Sequence, residues 1–424
     1  MFKKVMALVL ALALVFSLVA CGNKPEAPAE DGKTEGAGEV LVGAIYPLTG
    51  DVAAIGQNIQ KGIEFAVKQI NEAGGVNGAT LKIIYGDSQG DPKVGMSEAE
   101  RLITQENVCA LLGCYQSGVT EVVAPIAEQY QVPLLTAIST ADVLTSHDYQ
   151  YFFRLCPSNM MFLRDMIQYL ADVSEKYPDK ANVKTIAVCA DNTLLGQETA
   201  KWAKYWAEKV GIEVVAEVLY TKGAADLTSE VLTLKKANPD ALVVDNYISD
   251  GILLTKTMNE QGYKPNIMIG KATAYIDPSF ITTVGPVSNG ITTAAEFNPG
   301  SKGVEISDAF KAEYNVNMNG HSAEAYTATW IMKTAIEQAG STDKAALQKA
   351  LQELKIDGSF PGGSEIILPY NKIEFSSAEF DGVKHTNTNT GAVLTILQIQ
   401  NGKYETVWPF DIATAEPVIP AIFG

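Results

Sequence analysis

Ala110-Leu-Leu-Gly-Cys-Tyr-Gln-Ser-Gly-Val-Thr120 and, one helix length later, Val132-Pro-Leu-Leu-Thr-Ala-Ile-Ser-Thr140 decide the fold. Each begins as a short apolar run bounded by small, turn-forming residues, and the reading places a longer segment of helical character after each. That is the signature of successive strand-to-helix units in a parallel sheet. In such sheets ligands sit outside the carboxyl ends of the strands, where small hydroxyl side chains and the free N–H groups of helix N-termini converge. Ser117 and Thr140 stand at that position on consecutive strands. Either alone would read as an ordinary helix N-cap. Together, with Gly118 beside the first, they nominate a site for the carboxylate or another polar end of a small molecule.

The alternation extends outward in both directions. Upstream, residues 40–45 read as a strand, 57–71 as a helix with Ile59, Ile63, Ala66, Val67 and Ile70 on one face, 81–85 as a strand, and 93–106 as a helix opened by Asp91-Pro92. The glycines of Asn71-Glu-Ala-Gly-Gly-Val-Asn-Gly78 follow a helix rather than a strand, so they read as a helix end and a turn, not a dinucleotide loop. Downstream, a second βα series starts near Met160, with strands expected at 185–190, 213–219, 241–244 and 266–269 and helices between them. Residues 291–296 read as a further strand returning toward the first lobe. Helices follow at 305–314, 323–339 and 343–354, and the chain ends in a hairpin, 394–400 with 404–407, around Asn401-Gly402. Two similar series joined by crossings imply two lobes and a cleft, a division that a length of 424 residues also suits.

The start of the chain has a different character. Lys3 and Lys4 precede an unbroken apolar run over 5–16, too short for a typical membrane-spanning helix and flanked like a secretory signal. Leu18-Val19-Ala20-Cys21 resembles a lipobox, in which Cys21 is diacylated and becomes the first mature residue. Residues 21–39, with Pro25, Pro28, several glycines and mixed charge, then read as a disordered tether. The formal charge is −17, and −19 once Lys3 and Lys4 are removed, which disfavours nucleic acid as a partner.

Catalytic patterns are missing. There is no G-x-S-x-G, H-E-x-x-H or Walker loop, and His147, His321 and His385 are the histidines available. Cys109, Cys114, Cys156 and Cys189 show no metal-ligand spacing and read as free buried thiols. Neither an enzyme nor a bound metal or cofactor is expected.

Several motifs taken together resemble the extracytoplasmic solute-binding proteins of branched-chain amino acid ABC importers, the leucine/isoleucine/valine-binding type. They are Val42-Gly-Ala-Ile-Tyr-Pro-Leu-Thr-Gly50, Asn71 to Gly78, Asp87-Ser-Gln-Gly-Asp-Pro-Lys93, Gly113 to Ser117, Val132-Pro133, Phe153-Arg154 with Pro157-Ser158, Gly196, Asn238-Pro-Asp240, Gln261-Gly262, Ala325-Tyr326 and Ala339-Gly-Ser-Thr342. The resemblance covers the chain from Val40 onward. It implies an α/β fold of two Rossmann-like parallel-sheet lobes joined by a three-crossing hinge, the periplasmic binding protein type I fold. The lobes are expected at 40–157 with 296–360, and at 158–295 with 361–424. It further implies a lipid-anchored monomer on the outer face of the membrane, passing its ligand to a permease of two membrane subunits and their ATPases. A sensor docking on a membrane receptor shares the fold and is the competing use.

The resemblance also assigns site residues. Ser117 and Thr140 correspond to the serine and threonine that hold the ligand carboxylate, with Tyr115, Ile138 and Ser139 from the same turns. Tyr247 stands where a second-lobe tyrosine approaches the ligand amine, and His321 where an aromatic residue lines the side-chain pocket. Two positions depart from the pattern: Leu195 replaces a second tyrosine, and Lys271-Ala272-Thr273 stands where an acidic residue pairs with the ligand ammonium. Either Asp245 takes that acidic role or the ligand is not an α-amino acid. Lys271, at a cleft-facing strand end, is a candidate contact to the ligand.

Overall fold

The computed structural model describes residues 38–298, 302–361, 363–370 and 372–421. The signal segment, Cys21 and the tether as far as residue 37 lie outside the described residues. Strands in chain order are β1 (Glu39–Tyr46), β2 (Thr80–Asp87), β3 (Ala110–Gly113), β4 (Leu134–Thr136), β5 (Phe152–Arg154), β6 (Thr185–Asp191), β7 (Glu213–Tyr220), β8 (Ala241–Asp245), β9 (Ile267–Lys271), β10 (Thr292–Ala295), β11 (Lys355–Asp357), β12 (Lys372–Phe380), β13 (Val383–Asn389), β14 (Thr395–Gln400) and β15 (Lys403–Trp408). Helices are α1 (Ala53–Glu72), α2 (Pro92–Thr104), α3 (Ser117–Gln129), α4 (Val143–Ser146), α5 (Asn159–Lys176), α6 (Leu194–Lys209), α7 (Thr228–Ala237), α8 (Ile248–Glu260), α9 (Pro278–Val284), α10 (Val304–Tyr314), α11 (Gly320–Ala339) and α12 (Lys344–Gln352).

Two sheets result. One runs β11-β12-β13-β5-β4-β3-β1-β2 and the other β15-β14-β10-β9-β8-β6-β7. Strands β1 to β5 pair in parallel, as do β6 to β10, because each is followed by a crossover that returns the chain to the same edge. The central strands are covered on both faces, so Ala110-Leu-Leu-Gly113 and Ala241 to Asp245 are buried at every position and read as apolar runs rather than alternations. In register, Ile45 lies beside Gly113 and Leu112 beside Leu135, which brings the carboxyl ends of β1, β3 and β4 to one rim. The ends of β6, β8 and β9 form the matching rim of the second sheet.

Helices α1 and α11 pack against each other in the first lobe, with Ile59, Ile63 and Ile70 fully buried. Each such side chain contributes about 1.5–3 kcal/mol by leaving water. The approach is close because Gly62 has no side chain: a Cβ there would lie 2.2 Å from the Ser322 carbonyl oxygen. Helix α2 begins as expected at Asp91-Pro92, where the Asp91 carboxylate accepts from the Lys93 amide at 2.8 Å.

Two expectations are corrected. The strand pairing places β12 and β13, residues 372–389, in the first sheet, where Thr388 pairs with Arg154 of β5, rather than in a second lobe beginning at 361. These residues gave no strand signal because β13 is buried yet polar. His385 bonds Thr145 at 2.7 Å, Asn387 donates to the Tyr149 and Gln150 carbonyls, and Asn389 donates to that of Leu155. Its partners are other chain segments, which no local pattern reveals. Second, Thr140 does not open a long helix; only the single turn α4 follows. The carbonyls of Thr140 and Ala141 accept instead from the buried Arg154 guanidinium, at 3.2 and 3.0 Å, so the segment is pinned as a loop.

Candidate ligand-binding site

The two strand rims face each other across one cavity. From the first lobe come Tyr115 and Ser117, at the turn between β3 and α3, and Ile138 and Thr140 after β4. Leu195, Tyr247 and Lys271 stand opposite them on the second lobe, and His321 reaches in from α11. Eight of the ten ligand contacts proposed from sequence therefore share one wall or the other. Ser139 and Asp245 do not line the cavity. The Ser139 hydroxyl is used in holding the turns together, bonded to Thr120 at 2.6 Å and to the Cys114 carbonyl at 2.9 Å.

The lobes are shut. The Lys271 ammonium donates to the Thr140 hydroxyl at 2.8 Å, and the rings of Tyr115 and Tyr247 meet edge to face at 5.9 Å. The Glu198 carboxylate on α6 accepts from the Asp142 and Val143 amides at 2.7 and 3.3 Å. Burial, with Asp142 nearby, pushes the Glu198 carboxyl up to about 7. What remains between the lobes is a cavity of about 30 Å³. That is room for water rather than for a ligand of usual size, whose pockets run to about 300 Å³ or more, so entry requires the lobes to part.

Asp245 explains the buried lysine. Its carboxylate accepts from Thr199 at 2.6 Å and Thr273 at 3.1 Å and lies 3.7 Å from the Lys271 ammonium, with both charged groups almost wholly buried. A lysine removed from water needs such a counter-charge. The ammonium also sits 5.1 Å from the centre of the Phe162 ring. One of its three donors serves Thr140 and the carboxylate is at ion-pair rather than hydrogen-bond distance, so Lys271 retains capacity for an anion in the cavity. Beside it, the Ser117 hydroxyl accepts from the Ala141 amide at 3.3 Å.

Sequence reading set Ala272 and Thr273 at this site only as departures from an acidic position, and it missed Phe162, Glu296 and Glu324 in the lining. The last two matter most. Glu296 follows β10 and Glu324 lies on α11, both about as buried as core residues. Burial, and then the charge of Glu324, raises the Glu296 carboxyl well above the usual range; Glu324 is pushed up to about 7, chiefly by burial. The neighbouring Glu324 carboxyl thereby favours the protonated form of Glu296. Tyr370 donates to Glu296 at 2.9 Å, and the His321 Nδ1 lies 3.0 Å from Glu324. Burial holds His321 neutral, down to about 4. Its Nε2 and the Tyr115 hydroxyl have no bonding partner among the described residues. A signal for Glu324 did exist: it is the one charged residue in the otherwise uncharged run Ser322-Ala-Glu-Ala-Tyr-Thr-Ala-Thr-Trp330, and charged groups are seldom buried without a reason.

A larger, more open depression of about 520 Å³ lies elsewhere, beside α9, α10 and β15. Its lining includes Asn319, whose side-chain amide is already committed to Asp277 at 3.1 Å, and Asp308, Lys311, Lys403 and Glu405, and it does not include the residues of the two strand rims. The small cleft is the better candidate on chemistry. Among the described residues no group of histidine, cysteine and carboxylate side chains could hold a metal ion, and no helix is long and apolar enough to cross a membrane.

A family model described as periplasmic binding protein matches residues 39–390. The Leu/Ile/Val-binding protein homolog 7 of Brucella suis is 28% identical over 408 residues, which cover 92% of this chain and 96% of that protein. Among solved structures, the substrate-binding protein of a branched-chain amino acid transporter from Streptococcus pneumoniae, in complex with isoleucine, superposes with a TM-score of 0.71 at 23% identity, covering 90% of this chain and 99% of the other. A solute-binding protein of an ABC transporter from Rhodopseudomonas palustris, in complex with 3,4-dihydroxybenzoic acid, gives 0.74 at 19% identity, covering 91% and 98%. These likenesses agree with the two-lobed α/β architecture.

Proposed function

Because the chain belongs to the periplasmic binding protein family, we propose that it captures a small carboxylate between its lobes and delivers it to an ABC importer. The observation that carries this is the convergence of Ser117, Thr140 and the buried Lys271 ammonium, from opposite lobes, on one cavity. The two bound compounds named above, isoleucine and 3,4-dihydroxybenzoic acid, differ in almost everything except a carboxylate. Selectivity among acids then falls to the rest of the lining. Contacts from both lobes explain why ligand would favour the closed state: only a compound that interacts differently with the open and closed forms can shift their balance.

Delivery to a permease is supported by the Streptococcus pneumoniae protein, which is described as a substrate-binding protein of a transporter. For the beginning of the chain the reading is a lipid on Cys21 and a tether that gives the body reach from the outer membrane face, the body acting as a monomer. Fractionation checks this: a Cys21→Ser variant is expected in the medium, and its retention on membranes would contradict the anchor. For the function itself, protein purified without refolding is examined by native mass spectrometry. A retained small acid is expected; a retained compound lacking any acidic group would overturn the carboxylate assignment.

A further inference from the structure

On the reading of the cleft as a carboxylate site, we infer that the ligand is a zwitterion whose ammonium is held on the first-lobe wall by Glu324, Glu296, His321 and Tyr115, and not by Asp245. Asp245 is already committed. Both its oxygens accept from hydroxyls, Thr199 and Thr273, and its charge answers Lys271. It stands behind the lysine and does not line the cavity.

The opposite wall has what Asp245 lacks: buried polar groups with nothing to bond. His321 and Tyr115 are each 5% exposed, line the cavity, and leave Nε2 and the phenolic oxygen without partners among the described residues. Their rings pack edge to face at 5.2 Å, so the two free atoms belong to one patch. The chemistry of that patch selects its ligand. His321 is neutral, and with its Nδ1 proton directed at the Glu324 carboxylate, Nε2 presents a lone pair. Glu324 and the Tyr115 oxygen can accept as well. The wall therefore calls for a donor with several protons on one atom. An ammonium has three, whereas a hydroxyl has one.

Charge leads to the same conclusion. The Lys271 ammonium already has the Asp245 carboxylate 3.7 Å away, and the opposite wall adds two more carboxyl groups, those of Glu296 and Glu324. A simple acid entering the closed cleft would bring a further negative charge toward these carboxyl groups, whereas a zwitterion adds no net charge. Burying uncompensated charge is heavily disfavoured.

The test uses matched pairs of probes: glycine, L-alanine, L-leucine and γ-aminobutyrate, each beside the same acid without its amine, namely acetate, propionate, 4-methylpentanoate and butyrate. Calorimetry on the wild-type protein is expected to show that the tightest binder carries an amine and that its deaminated partner binds at least about a hundredfold more weakly, the size of effect that leaves buried polar groups unpaired. In Glu324→Gln the preference should shrink to under about tenfold. Tyr115→Phe, a milder change to the same wall, should reduce it too and serves if the glutamine variant does not fold. Equal binding of an acid with and without its amine overturns the inference while leaving the carboxylate site standing. A full preference retained in both variants also overturns it, by placing the ammonium elsewhere. Binding of no member of either set overturns the carboxylate reading along with it.

Discussion

On the second-lobe wall of the cleft, Lys271 and Asp245 face each other at 3.7 Å, with Thr199 and Thr273 donating to the carboxylate. On the first-lobe wall, Glu296 accepts from Tyr370 and Glu324 lies beside a neutral His321, both carboxyls being raised by burial, while two polar atoms beside them bond nothing among the described residues. Both walls bury charge, but the second-lobe wall compensates it internally and the first-lobe wall leaves the compensation to whatever enters. A compensated pair keeps a buried lysine charged, so that it can meet an anion in the cleft without leaving its own charge stranded in the empty protein. An uncompensated one costs the empty protein stability and becomes selective, because only a ligand with the complementary group removes that cost. The difference sorts side chains that look alike on paper: Asp245 is an acid held for the protein, and Glu324 an acid left for the ligand.

Breaking the compensated wall should have the larger effect on stability. Asp245→Asn removes the counter-charge of a lysine that is 2% exposed. A loss of about 3 kcal/mol is expected in urea unfolding at neutral pH, since removing one partner of a buried pair strands the other. A loss within about 0.5 kcal/mol would mean that Lys271 does not depend on Asp245, and the contrast between the walls would fail.

The acidic wall should show itself through pH, with a smaller effect. Glu324 is raised from 4.5 to about 7, so the folded chain keeps a proton that the unfolded chain has released. Stability from this group is complete below pH 4.5 and is lost as pH rises to 7. His321, lowered from 6.5 to about 4, works the other way, adding stability as pH rises from 4 to 6.5. Glu324→Gln abolishes the first contribution and leaves the imidazole. Relative to wild type, the variant should therefore gain stability between pH 5 and pH 7, by on the order of 1 kcal/mol. Urea titrations at pH 5, 6 and 7 check this; a difference that stays flat or falls with pH would contradict the pairing of the two glutamates.

The alternation of apolar runs and amphipathic helices made the two sheets legible, because a buried parallel strand is apolar at every position and its helices repeat every 3.6 residues. Strand β13 was not legible: Val-Lys-His-Thr-Asn-Thr-Asn389 satisfies its polar side chains through residues more than two hundred positions away. The site divided in the same way. Ser117, Thr140 and Lys271 were visible because strand ends mark themselves with small residues and turns, and the motif resemblance supplied Tyr247 and His321. Asp245 was weighed as the ammonium's partner, but which acid lies free in the cleft depends on what Thr199 and Thr273 do with their hydroxyls. Glu296 and Glu324 lie 28 residues apart on a strand end and a helix, and no local spacing announces their pairing.

The account stands most directly on Lys271 as the receiver of the ligand's carboxylate. Lys271→Met keeps much of the side chain's length and removes the charge, leaving Asp245 with its two hydroxyl donors. Titrated calorimetrically with the tightest-binding of the four amino acids used above, the variant should lose at least tenfold in affinity, about 1.4 kcal/mol, while unfolding cooperatively like the wild type. An unchanged affinity in a folded Lys271→Met protein would contradict the account, reducing Lys271 to a counter-ion for Asp245 and leaving the carboxylate without its positive partner.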